Sequence, residues 1–155
     1  MIWGQTGTRH GATRLQLASI GWLWSRYEIK ELHDGDCKGA DAQLYDLAGA
    51  FGVRRVLHPP TNPKNRAFCG LRDCVLIDEA TTDIWTEYPY FVRDRHIVDA
   101  SQVMVATPKQ YFETEDKMPG GTWYTIYYTR EQNLPLAIVW PNGLIKYERW
   151  NLRQL

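Results

Sequence analysis

At 155 residues the chain has room for one ordinary domain, taken as 1–155, with a core that closes without disulfides or metals. Its 44% hydrophobic and 23% charged residues exclude a disordered or low-complexity chain. Lys and Arg total 18, as do Asp and Glu, for a net charge of +0, which argues against non-specific nucleic-acid binding as the main task.

The predicted elements follow in chain order. A short strand runs up to Gln5, and Thr6 to Gly11 is a loop. Ala12 to Tyr27 is helical, with Leu15, Ala18 and Trp22 on one face at spacings of three and four; Leu17, Ile20 and Trp24 add apolar surface elsewhere. Glu28 to His33 is a second strand, followed by the turn-rich Asp34-Gly35-Asp36-Cys37-Lys38-Gly39. Ala40 to Phe51 is the cleanest helix, with Leu44, Leu47, Ala48 and Phe51 in register and Gly52 as its stop. Arg54 to His58 is a third strand, halted by Pro59-Pro60. The irregular segment 61–87 is long for a connection and reads as an inserted loop or lid. Pro89 to Ala100 returns to helix, and Gln102 to Ala106 is a buried strand. After a polar loop, Thr107 to Pro119, comes a helix over Thr122 to Gln132. Leu136 to Trp140 is a strand, and Asn142-Gly143 turns it into a terminal hairpin strand over Leu144 to Trp150.

Strands alternating with helices imply a Rossmann-like, three-layer α/β fold with a mostly parallel sheet and a C-terminal hairpin strand. In such sheets ligands sit at the carboxyl ends of the strands, near the topological switch point. The candidate site residues fall there. Gly7, Thr8 and Arg9 follow the first strand. Gly35, Lys38, Gly39 and Asp41 follow the second. Gly120, Gly121 and Thr122 open the helix after the polar loop. Glycines admit close approach of backbone amides, and a helix start favours an anion such as phosphate. Arg9, Lys38, Arg93 and Arg95 add charge-assisted contacts. Trp123 and Tyr124 are placed to stack on a base, with core packing an equal alternative. Any one such loop alone is more often an ordinary turn; three on one sheet edge carry more weight.

Other chemistry is less well supplied. Cys37, Cys69 and Cys74 do not make a zinc site with the dispersed His10, His33, His58 and His96, so neither a metal nor a cofactor is expected. The first residues lack the basic and apolar regions of a secretory signal. No stretch reaches the ~20 apolar residues that span a bilayer. A cytoplasmic setting with no membrane partner is expected. Trp140, Tyr147 and Trp150 suggest an exposed aromatic patch and a homo-oligomeric contact.

Neither a P-loop nor a dinucleotide Gly-x-Gly-x-x-Gly is present. Five ordered segments instead resemble the SLOG superfamily, named from the Smf/DprA and "lonely guy" proteins. They are Gly7-Thr8-Arg9, His33 to Asp41, His58-Pro59-Pro60, Arg93 to Ser101 and Gly121 to Thr125. The resemblance runs from Gly7 to about Val139 and is nearest to the small stand-alone branch of bacteria and phages. It implies that Gly7, Thr8, Arg9, Gly35, Lys38, Gly39, Arg93 and Gly120 to Thr122 line a pocket for a nucleotide-derived ligand. Asp41 either joins them or braces the second helix. Asp94 stands where the family more often has Asn. In some members such binding serves antiviral signalling, and a phage relative would capture the messenger.

The lonely-guy members cleave N-glycosidic bonds with a Glu in Pro-Gly-Gly-x-Gly-Thr-x-x-Glu. Aligned on Gly121-Thr122, that position is Thr125, which cannot act as acid or base at neutral pH. The reading therefore favours a receptor or sequestering protein over an enzyme. Hydrolysis of nucleoside monophosphates by another carboxylate (Asp36, Asp94 or Asp99) is the alternative. Single-stranded DNA binding is a weaker one, disfavoured by the balanced charge.

Overall fold

The computed structural model describes residues 1–69, 82–84 and 87–155. The described strands are β1 (Ile2–Gly7), β2 (Glu31–Asp34), β3 (Arg54–Leu57), β4 (Thr82–Ile84), β5 (Val103–Thr107), β6 (Leu136–Val139) and β7 (Ile145–Glu148), and the helices are α1 (Arg14–Arg26), α2 (Ala40–Ala50), α3 (Tyr90–Asp99) and α4 (Gly121–Glu131). They form a seven-stranded sheet in the order β4-β3-β2-β1-β5-β6-β7. Every pairing is parallel except β6 with β7, which is the predicted hairpin. Much of the expected inserted segment, residues 70–81, 85 and 86, lies outside the described residues. What is described of it includes β4 and a 3-10 turn, Pro63–Asn65.

The sheet is covered on both faces, and the two-residue period of a strand explains how. Val103 and Val105 of β5, with Ala137 and Val139 of β6, join Trp3, Ile20, Leu23, Trp24 and Leu44 in one core. Met104 and Ala106, with Leu136 and Ile138, turn the other way to Ile97, Val98, Trp123 and Ile126. The first core packs under α1 and α2, the second under α3 and α4. These inner strands are buried on both sides, as parallel strands flanked by helices must be.

Helix α1 corrects one expectation. Leu15 and Trp22 are exposed, and the inward face is Gln16, Ile20, Leu23 and Trp24. Polar Gln16 is buried because every polar atom of its side chain is bonded. It forms a capping box with Thr13, its Oε1 accepting from Thr13 N (2.8 Å) and the Thr13 hydroxyl accepting from Gln16 N (3.1 Å). Its Nε2 donates to the carbonyls of Pro108 (3.0 Å) and Val139 (2.8 Å). One side chain thus ties the start of α1 to the ends of β5 and β6.

The expected aromatic patch is also corrected. Trp150 packs edge-on against Trp3 and Tyr27, and Trp140 packs near Trp123. Only Tyr147 of the three is substantially exposed. Among the described residues, no helix is long and apolar enough to cross a membrane.

Candidate functional site

The sheet order reverses at β1, which lies between β2 and β5. The carboxyl ends of β1 and β5 open there into a cavity of about 540 Å³, within the roughly 300–1,000 Å³ usual for small-molecule sites. Its floor is Gln5, Thr6 and Gly7 of β1; its walls are the loop Thr8-Arg9-His10, α3 from Tyr90 to Ile97, and the start of α4 with Lys109 and Gln110.

Of the residues singled out in the sequence, Gly7, Thr8, Arg9, Asp41, Arg93, Gly120, Gly121, Thr122 and Trp123 line this cavity. Gly35, Lys38, Gly39 and Arg95 do not. Gly39 braces the loop beneath. Its φ is +88°, and a Cβ there would lie 2.4 Å from the carbonyl oxygen of Arg9, so only glycine fits this approach. The Ala40 amide at the start of α2 donates to the Thr8 carbonyl (3.1 Å). The start of α2 therefore holds protein, not a ligand. Lys38 is exposed with its Nζ 3.4 Å from the Lys64 carbonyl, and Arg95 is exposed on the outer face of α3.

The start of α4 is different. Its N-cap is Gly120, which has no side chain to cap the first turn. The helix start faces the cavity, with Arg9 and Lys109 exposed beside it. Neither cation has an ion-pair partner among the described residues.

Beneath them is a buried ionic cluster. The Arg93 guanidinium is 3.2 Å from Asp94 and 3.8 Å from Asp41, and donates to the Cys37 sulfur at 3.0 Å. Burial opposes its charge, but Asp94, Cys37 and Asp41 together hold its pKa above the usual value. Asp41 accepts from Gln5 Nε2 (2.7 Å) and from the Cys37 amide (3.1 Å). It thus both braces α2 and lines the cavity. Burial raises its pKa, against the pull of Arg93. Asp34, fully buried, is likewise raised by burial and by Asp41. Burial lifts Asp94 to about 6, with Arg93 drawing it back. The Cys37 thiol is pushed up to about 12 by burial and the nearby Asp41, so it is no nucleophile at neutral pH.

The alternative carboxylates separate clearly. Asp36 is committed to Arg66 (2.7 Å) and the Cys69 amide (2.8 Å). Asp99 accepts from the Tyr128 hydroxyl at 2.9 Å and does not line the cavity. Asp94 does line it, close under Gly121: a Cβ built there would lie 3.7 Å from Asp94 Oδ2. Thr125 is buried one turn on, its hydroxyl donating to the Gly121 carbonyl (2.9 Å).

Trp123 is held in the core and donates to Gln110 Oε1 (3.0 Å), while Tyr124 packs against Phe91 with ring centroids 4.4 Å apart. Besides Trp123, the aromatic residues that line the cavity are Tyr90 and Phe91, which sequence reasoning missed. So were Gln5, Lys109 and Gln110. The one signal for Gln5 is a polar side chain at the centre of an otherwise buried strand. It is 1% exposed, and its Oε1 has no hydrogen-bond partner among the described residues. Among the described residues, no group of His, Cys, Asp or Glu could hold a metal ion.

No family model matches the chain, and neither the curated proteins nor the solved structures contain a match.

Proposed function

We propose that this cavity binds the phosphate-bearing part of a nucleotide-derived ligand, and that the protein serves as its receptor or sequestering protein. The observation that carries the reading is the meeting, at the switch point, of an uncapped helix start with Arg9 and Lys109. Free amides and a positive end dipole favour an oxyanion there. Tyr90 and Phe91 line the cavity with apolar ring surface suited to a base. The ordered resemblance to the SLOG superfamily points to the same ligand class, and a phage-encoded role in capturing a signalling nucleotide is consistent with it.

A second reading has one observation in its favour. Asp94 brings a buried carboxylate into the cavity beside the start of α4. Such a group could serve as acid or base in N-glycosidic hydrolysis, in place of the Glu that Thr125 replaces.

One experiment separates the two. The protein is incubated with nucleoside monophosphates, cyclic dinucleotides and ADP-ribose derivatives, and the bound material is recovered by heat denaturation and weighed by mass spectrometry. A ligand returned intact supports the receptor. Base plus sugar phosphate supports the hydrolase. No ligand retained by folded protein overturns both.

A further inference from the structure

We propose that the cavity takes phosphate in its singly charged, diesterified form, as in a cyclic or bridged nucleotide, in preference to a terminal phosphate monoester. This rests on the reading of the cavity given above and names the chemical class of its ligand.

The first argument is the distribution of charge. Three cations line the cavity: Arg9, Arg93 and Lys109. Arg93 is already engaged by Asp41 and Asp94. That leaves Arg9 and Lys109, both on the exposed rim, where water weakens their hold. Against them stands a buried cluster of two carboxylates, Asp41 and Asp94, on the one guanidinium of Arg93, with Asp94 7% exposed and packed under Gly121. An anion on the first amides of α4 comes within a few ångströms of that carboxylate. Repulsion between the two grows with the charge on the anion and is little screened at a buried site. A monoester carries close to two negative charges above its second pKa of about 6. A diester carries one and has no further proton to lose. The burial that makes Asp94 hard to ionise also makes a second ligand charge beside it hard to accommodate.

The second argument is shape. A smaller recess of about 250 Å³ adjoins the cavity and shares Phe91, Pro119 and Gly120 with it. The glycine start of α4 therefore has space on both sides. A monoester has one organic arm and fills one side, whereas a diester has two. Gln5 adds a further requirement on the larger side. Its buried, unpartnered Oε1 is an acceptor and is satisfied by a hydroxyl or amine of the arm that enters there.

The test uses the common ribonucleoside 5′-monophosphates and their methyl phosphodiesters, which differ by one charge and one small second arm. Affinities are measured by calorimetry at about pH 7.5, above the second phosphate pKa of about 6. The diesters should bind at least about tenfold more tightly, a difference of about 1.4 kcal/mol. In Asp94→Asn the gap should close to within about threefold, mainly because the monoesters improve, a change of under about 1 kcal/mol remaining. Monoesters that bind wild-type protein as well as the diesters overturn the inference and leave the binding function standing. A gap that persists undiminished in folded Asp94→Asn overturns the charge argument and the part it gives to Asp94. Should that variant not fold, Asp94→Ser takes its place, and the wild-type ratio decides the preference by itself. Failure of every ester to bind overturns the reading of the cavity along with the inference.

Discussion

The Arg93 guanidinium fills the space above Gly35: a Cβ on residue 35 would lie 1.2 Å from Nη1 and 2.8 Å from Asp41 Oδ2. The glycine is needed for the room it leaves. Through it the β2–α2 loop, which lines the cavity itself at Cys37, also lets a buried arginine reach both carboxylates. Gly35→Ala should push Arg93 out of this arrangement and leave buried charges poorly paired. Overpacking costs roughly 1–3 kcal/mol and breaking a buried pair roughly 3–5 kcal/mol, so urea unfolding should show a loss of about 3 kcal/mol or more. A loss below about 0.5 kcal/mol, the range of an ordinary surface change, would mean that Arg93 does not occupy that space.

Asp94 gives a signed pH dependence. Its pKa lies at about 6 in the folded chain, against an ordinary value of 3.8. Between those values the folded state holds a proton that the unfolded state releases. The contribution to stability is therefore full below the ordinary value and is lost as pH rises through about 6. Asp94→Asn removes the ionisation. A tenfold change in an ionisation constant corresponds to about 1.4 kcal/mol, so the variant should match wild type near pH 3.5 and exceed it at pH 7 by up to about 3 kcal/mol. Equal stabilities of the two proteins at both pH values would show that Asp94 ionises freely.

On the same side of the sheet as α3, His58 should act in the opposite sense. Glu31 can only accept, so His33 Nε2–H donates to it (2.7 Å). His33 Nδ1 then accepts from His58 Nε2–H at 2.8 Å. Burial, and next to it the neighbouring His33, lower the His58 pKa from 6.5 to about 3. Here the unfolded chain takes up the proton first, and stability falls as pH drops below 6.5 toward that value. His58→Gln keeps an N–H donor near the same place and cannot titrate. Its stability relative to wild type should rise steadily from about pH 6.5 to about pH 4, read from thermal melts of the pair. A constant difference over that range would remove His58 as the cause.

Gln16 combines a capping box with two buried carbonyl contacts. Gln16→Ala leaves the Pro108 and Val139 carbonyls without this donor and opens a void. Loss of a cap costs about 1 kcal/mol, and each buried unsatisfied group about 1–3. Chemical denaturation should show a total loss of about 3 kcal/mol. Gln16→Glu, which keeps the box but loses the donor, should fall at least as far.

The order of elements was legible because each strand and helix carries its own period. The β6–β7 hairpin was legible from Asn142-Gly143 between two runs of strand. What failed in α1 was the choice of face. Leu15 and Trp22 outweigh Gln16 on any hydropathy scale, yet Gln16 is inside because its partners lie on β5 and β6, far away in sequence. The capping pattern Thr13-x-x-Gln16 was the signal available. Trp150 was misjudged for a related reason, since its partner Trp3 is at the opposite end of the chain. At the site, glycine spacing located the loops but not their division of labour. Gly39 and Gly120 are alike as residues; only the contact of Gly39 with the Arg9 backbone separates brace from lining. The meeting of Asp94 with Gly121 is a packing of α3 on α4, which no local pattern records.

Arg130 grips Glu113 with two nitrogens (2.7 and 2.8 Å) and Glu148 with two (2.9 and 2.8 Å). Lys146 joins both carboxylates from β7, at 3.7 Å and 3.1 Å. The loop that carries Lys109 and Gln110 is thereby fastened to the last strand of the sheet, through residues that do not line the cavity. Rim and hairpin should open to solvent as one cooperative unit, with amides of 109–119 and 145–148 exchanging at a common rate. A change made at Glu148 would then be felt as looser closure around a ligand that Glu148 never touches.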